Sequence, residues 1–230
     1  MKFYESGDNR KPVIFLFPGT CCLYSSFDHV LDGLHSYFYT VTVSYDGFDP
    51  NEKTEFYSME DECEKIEQEI RKKYGGRIKA AYGCSLGGSF VSLLIQRKRI
   101  HIDHGIIGSS DMDEAGHLVA KIQSSMVVPF MYKMVHTGTL PKFMQKKLDK
   151  TDGGKKELYN GFLNMFGIGK GGSPWITKQS IYNQFYSDLV TKVQHGIDVP
   201  GTTIHVFYAT KMGEKYEKRY CTYFKNPDIR

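Results

Sequence analysis

The chain has 230 residues, of which 40% are hydrophobic and 14% aromatic, and a net charge of +4. That length fits one α/β domain with room for an insertion, and the apolar content argues against a disordered chain. The 30 Lys and Arg are scattered among 26 Asp and Glu with no block of like charge, so a nucleic-acid partner is not supported.

Five cysteines, with Cys21 and Cys22 adjacent, make a poor disulfide framework, and no C-x-x-C pair offers a zinc site. A reducing cytoplasm is the expected compartment. The start, "MKFYESGDNRKPV", lacks the apolar run of a signal peptide. No run of about 18 apolar residues occurs, so no membrane span is expected.

Residues 13–17, "VIFLF", form a continuous apolar run between Pro12 and Pro18-Gly19, which reads as a strand buried on both faces. Residues 26–38 read as a helix, with Phe27, Val30, Leu31, Leu34 and Phe38 at helical spacing. Residues 41–45, "VTVSY", read as a second strand, followed by the loop "DGFDP". Residues 59–74 carry acids early and bases late, in the order that complements a helix dipole, and Gly75-Gly76 ends the helix. Residues 78–82 predict a third strand, 88–96 a buried helix, and 102–108 a fourth strand ending in "SSDMD".

Alternating strands and helices imply right-handed crossovers and a mostly parallel sheet. Such sheets bind ligands beyond the carboxyl ends of their strands. Three segments fall there: "PGTCC" after Phe17, "GCSLGG" after Tyr82 and "SSDMD" after Gly108. The alternation then stops. Residues 113–198 show apolar residues at helical spacing and no convincing strand. The stretch "GIGKGG" lacks the ending and the preceding strand of a phosphate loop. A helical cap over 113–198 is therefore expected between core segments 1–112 and 199–230. Residues 203–208, "TIHVFY", return to strand character, and 213–224 read as a final helix.

Gly83-Cys84-Ser85-Leu86-Gly87 is a G-x-S-x-G pattern. A serine hydroxyl needs a base beside it and donors for the oxyanion that forms on attack. A strand-turn-helix elbow projects the serine above the sheet, and flanking glycines relieve crowding in the turn. The Leu86 N–H is one expected oxyanion donor; the other is expected near Thr20 or Cys21. The elbow points Ser85 toward the site and is expected to turn Cys84 away from it.

"VIFLFPGTCC", "YGCSLGG" and the inserted helical cap resemble the α/β-hydrolase superfamily, and more closely uncharacterised small α/β-hydrolases of gut Firmicutes. The resemblance covers essentially the whole chain. It implies Ser85 as nucleophile, Phe17-Pro18-Gly19-Thr20 in the place of the usual His-Gly oxyanion segment, and no cofactor. It also implies the chain order serine, acid, histidine. The commonest acid position holds Met212; Glu214 lies two residues on, and Asp111, at the end of the preceding strand, is the alternative. Asp111 also suits a helix cap. The family's histidine follows one more strand. Asp228-Ile229-Arg230 reads as the start of that strand, so the sequence is expected to be cut before the histidine, leaving residues 203–208 with an unpaired edge. Of the eight histidines present, His117 is the least unsuitable, because it follows the "SSDMD" loop; packing is the expected role of the rest.

The expected function is hydrolysis of a small-molecule ester, thioester or amide through an acyl-enzyme on Ser85. Acyl transfer to another acceptor needs the same residues. The alternative is a non-catalytic, ligand-binding protein on this fold that lacks the histidine base.

Overall fold

The computed structural model describes all residues except Asp152, Gly169, Lys170 and 210–212, with backbone alone for Phe143, Lys147, Leu158 and Phe162. Met212 therefore lies outside the described residues.

Among the described residues, seven strands form one sheet: β1 (Lys2–Ser6), β2 (Val13–Phe17), β3 (Tyr39–Ser44), β4 (Arg77–Cys84), β5 (His101–Gly108), β6 (Thr203–Phe207) and β7 (Asp228–Ile229). Their spatial order is β1-β3-β2-β4-β5-β6-β7; only β1 runs antiparallel, against β3. The helices are α1 (Asp28–His35), α2 (Met59–Tyr74), α3 (Leu86–Arg97), α4 (His117–Thr137), α5 (Lys142–Asp149), α6 (Gly154–Met165), α7 (Lys178–Val190) and α8 (Glu214–Tyr223). Between β5 and β6 the described residues contain helices and no strand.

The apolar run in β2 is buried on both faces, as expected. Phe15 and Phe17 join the larger core, with Val41, Val43, Ile66, Phe90 and Val91, under α2 and α3. Ile14 and Leu16, one residue out of phase, pack with Phe27, Leu31 and Leu34 beneath α1 on the opposite face. Helix α2 starts where Ser58 Oγ accepts from the Asp61 N–H at 3.1 Å, and it ends at Gly75 in the left-handed region, φ 62°.

Two expectations change. Residues 2–6 form a strand for which the sequence carries no local signal. The edge of β6 is also not bare. His205 and Val206 pair with Asp228 and Ile229, and the Arg230 N–H donates to the Val206 carbonyl at 2.9 Å. Asp228-Ile229 is itself a short strand.

Candidate active site

Ser85 sits between the end of β4 and the start of α3, with φ 52° and ψ −118°. A non-glycine residue with positive φ is strained and must be held there by its surroundings. The Ser85 N–H donates to the Gly108 carbonyl of β5 at 2.9 Å, and the Ser85 carbonyl accepts from the Gly88 N–H at 2.8 Å. Ser85 itself is exposed, while Gly83, Leu86, Gly87 and Gly88 are buried. The turn thus lifts one hydroxyl out of a packed neighbourhood.

The glycines are required by contact. A Cβ on Gly83 would lie 1.9 Å from the Gly87 carbonyl oxygen, and a Cβ on Gly87 would lie 2.1 Å from the Phe17 carbonyl oxygen. Gly19 approaches less closely from the loop after β2: its Cβ would sit 3.2 Å from the Cys84 carbonyl oxygen and 3.5 Å from the Ser85 Cβ. This brings Thr20 beside the serine.

Cavity-lining residues come from all three strand ends and from the helices between β5 and β6. The cavity, of about 570 Å³, is lined by Gly19, Thr20, Cys22, Cys84, Ser85, Asp111, Asp113 and Asp188, with an apolar wall that includes Met126, Val127, Met131, Phe166 and Phe185. The three expected oxyanion donors differ: Thr20 lines the cavity, and Leu86 follows Ser85 directly without lining it. The Leu86 N–H opens α3 and has no acceptor within that helix. No hydrogen bond to another described residue engages the Thr20 N–H. The third, the Cys21 N–H, is taken: it donates to Gln184 Oε1 at 2.7 Å. Cys21 is fully buried with φ 59°, so Gln184 holds a strained loop residue from 163 positions away.

Asp111 lines the cavity and is exposed; its Oδ1 accepts from the Asp113 N–H at 3.3 Å. Arg219 of α8 donates to the Asp111 carbonyl at 2.5 Å and pairs with the Asp113 carboxylate. Glu214 is exposed at the start of α8 and does not line the cavity. Cys84, expected to turn away, lines the cavity as well. Burial pushes the Cys22 and Cys84 thiols up, so neither favours the thiolate that a competing nucleophile needs.

None of the eight histidines lines the cavity. His117 Nδ1 pairs with the Tyr186 hydroxyl at 2.9 Å on the surface. His104 pairs with His205 at 3.2 Å, and His205 with Asp228 at 2.9 Å. His35 lies beside Ser6 and Thr40.

Asp188 is the residue that sequence reasoning missed. It lies in α7, four positions after Gln184, and faces the cavity. Burial, first, and the nearby charges of Asp111 and Asp113 push its carboxyl up to about 7, although Ser89 hydrogen-bonds it. Burial, with Asp46 behind it, does the same to Glu62. The only sequence signal was polar spacing: Ser180, Gln184 and Asp188 recur every four residues on a helix otherwise rich in apolar groups.

An acid whose folded pKa lies above its unfolded value binds its proton more tightly when folded. Its contribution to stability is complete below the ordinary carboxylate range near 3.8 and is lost as pH rises through about 7. Asp188→Asn removes one such group. We expect the fall in Tm between pH 5 and pH 8 to shrink by roughly 5 °C in this variant. Thermal melts at both pH values check this; an unchanged difference contradicts it.

No family model matches the sequence, and no curated protein matches it. Solved structures do. An alpha/beta hydrolase family protein from Desulfitobacterium hafniense superposes with a TM-score of 0.72 at 14% identity, over 99% of this chain and 89% of that one. MenH from S. aureus gives 0.71 at 10% identity, over 99% and 88%. A thermophilic esterase from Thermogutta terrifontis gives 0.70 at 14% identity, over 99% and 82%. With its mostly parallel seven-stranded sheet flanked by helices, this chain has the α/β-hydrolase fold.

Proposed function

We propose that the protein is a serine hydrolase that cleaves a small-molecule ester, thioester or amide through an acyl-enzyme on Ser85. The observation that carries this reading is the strained, exposed Ser85 at the mouth of an apolar cavity, with the Thr20 and Leu86 N–H groups beside it. Ser85 Oγ attacks the carbonyl carbon, the two N–H groups hold the oxyanion, the Ser85 hydroxyl proton leaves with the alcohol, thiol or amine, and water then adds to the acyl-enzyme, releasing the acid and returning a proton to Oγ. The N-terminal end of α3 points at the same place and favours developing negative charge. A place in the cavity wall supports Asp111 over Glu214 as the acid that orients the base. Fold relatives described as esterases support an ester substrate. The closer likeness to gut Firmicutes hydrolases and a cytoplasmic setting belong to the same reading, as does treating residues 113–198 as a cap. Among the described residues no helix is long and apolar enough to cross a membrane.

A second reading has one observation in its favour. None of the eight histidines in this sequence lines the cavity, so the described residues bring no imidazole to Ser85. A ligand-binding protein on this fold needs no such base. The test is a fluorophosphonate probe with mass mapping, alongside hydrolysis of short-chain p-nitrophenyl esters. We expect the adduct on Ser85, and a loss of turnover of about 1,000-fold or more in Ser85→Ala. An unlabelled Ser85, with equal background hydrolysis in both proteins, selects the binding reading.

A further inference from the structure

Helix α4 is apolar on two sides. Ala120, Ser124, Val128 and Val135 are buried. The outward side should be polar in a chain that works alone in water, and it is not. Leu118 is 72% exposed, Ile122 52%, Met126 74% and Phe130 40%. These four recur every four residues, so they form one stripe along the helix. Val119 and Val127 widen it. A continuous exposed apolar strip of this kind marks a surface that meets something.

Charge says what it meets. Helix α4 carries no acid, and its Lys121 and Lys133 are both exposed, Lys133 in angular line with the stripe and Lys121 at its flank. Residues 117–165 hold eight lysines against three acids, a local surplus larger than the net charge of the whole chain, +4. An apolar strip set among lysines is complementary to an anionic lipid surface, where the side chains enter the headgroup boundary and the ammonium groups meet phosphates. A second copy of this chain would bring the same lysines against one another. The stripe also leads inward: Met126 and Val127 belong both to it and to the wall of the Ser85 cavity.

We propose that α4 is an interfacial surface that seats the protein on an anionic lipid bilayer, with the Ser85 cavity opening toward the acyl chains. The substrate class that follows, a lipid ester drawn from the bilayer, rests on the Ser85 reading; the surface itself does not.

The test is co-sedimentation of the full chain with vesicles of phosphatidylcholine containing roughly one-third phosphatidylglycerol, and with phosphatidylcholine alone. The variants are Leu118→Ser/Ile122→Ser/Phe130→Ser and Lys121→Glu/Lys133→Glu. None of these positions lines the cavity, and Tm verifies that each variant is folded. We expect binding to the anionic vesicles that weakens with salt, and a loss of at least ~10-fold in the triple variant. The lysine pair should lose anionic binding selectively. Turnover of a soluble short-chain ester should be unchanged in both.

No vesicle binding, or equal binding by the triple variant, overturns the proposal. So does self-association that the triple variant abolishes while vesicles are ignored, because the stripe is then a contact between copies. Ser85→Ala separates the two readings. Vesicle binding equal to wild type, with no Ser85-dependent ester turnover in either protein, keeps the surface and removes the hydrolase.

Discussion

Gly83→Ala is expected to destabilise the fold by about 3 kcal/mol or more and to abolish labelling of Ser85. The added methyl would meet the Gly87 carbonyl oxygen at 1.9 Å, the Gly87 carbonyl carbon at 2.0 Å and the Gly88 nitrogen at 2.5 Å. All three are backbone atoms in the first turn of α3, so no side chain can swing aside. Relief requires the helix start to move away from β4. Ser85 and the Leu86 N–H ride on that turn, and the elbow opens with it. Other glycines calibrate the effect. At Gly105 the nearest obstacle is the tip of Ile95, 2.4 Å away, which can change rotamer, so Gly105→Ala should cost less. At Gly116 a Cβ meets nothing within 4 Å and φ is −64°, so Gly116→Ala should fall within about 0.5 kcal/mol of wild type. Denaturant midpoints of the three variants give the order. Equal stability of Gly83→Ala and Gly116→Ala would show that the elbow is not packed as described.

This packing explains why so much of the core was legible in the sequence. The strands β2 to β5 are short apolar or β-branched runs bounded by Pro, Gly or charge, and the helices between them have strong local ends, as Ser58 and Gly75 show for α2. The elbow was legible because its glycines answer a local steric demand. Strand β1 was not: "KFYES" exposes Lys2 and Glu5 and is a strand because β3 offers it an antiparallel edge. The outward face of α4 shows only ordinary helical periodicity in the sequence, since spacing tells how residues share a face and not whether another element covers it. Asp188 and Gln184 show no more than a polar spacing in the sequence, for a related reason. Both lie on α7, more than 90 residues from the elbow in sequence, and only tertiary packing brings them to it. No local rule shows that the Cys21 N–H, a reasonable oxyanion donor by chain position, is already bonded.

That last contact leads to the second large effect. Gln184→Leu is expected to lower kcat for a Ser85-dependent ester by about 10- to 100-fold with KM nearly unchanged. Gln184 is a positioning residue in this argument, acting through the loop. Without its Oε1, the buried Cys21 N–H loses its acceptor, which costs roughly 1–3 kcal/mol locally. The left-handed Cys21 then keeps only the turn closed by the Cys22 N–H to the Gly19 carbonyl at 3.0 Å, and a loop at φ 59° relaxes toward an ordinary conformation. Thr20 precedes it directly, so its N–H swings away from the oxyanion position while the apolar wall that binds the substrate stays in place. Helix α7 itself remains anchored, because Ser187 Oγ accepts from the Met59 N–H at 2.7 Å and Asn183 Nδ2 donates to the Phe56 carbonyl at 2.7 Å. Ser187→Ala is therefore the matched control: it removes an anchor of the same helix without touching the loop, and should lower Tm with kcat retained. Gln184→Glu, which keeps an acceptor oxygen, should recover part of the lost rate. If Gln184→Leu and Ser187→Ala lower turnover alike, the contact is merely structural. If Gln184→Leu leaves kcat intact, the Thr20 N–H is not an oxyanion donor, and the hole must be built from amides elsewhere around Ser85.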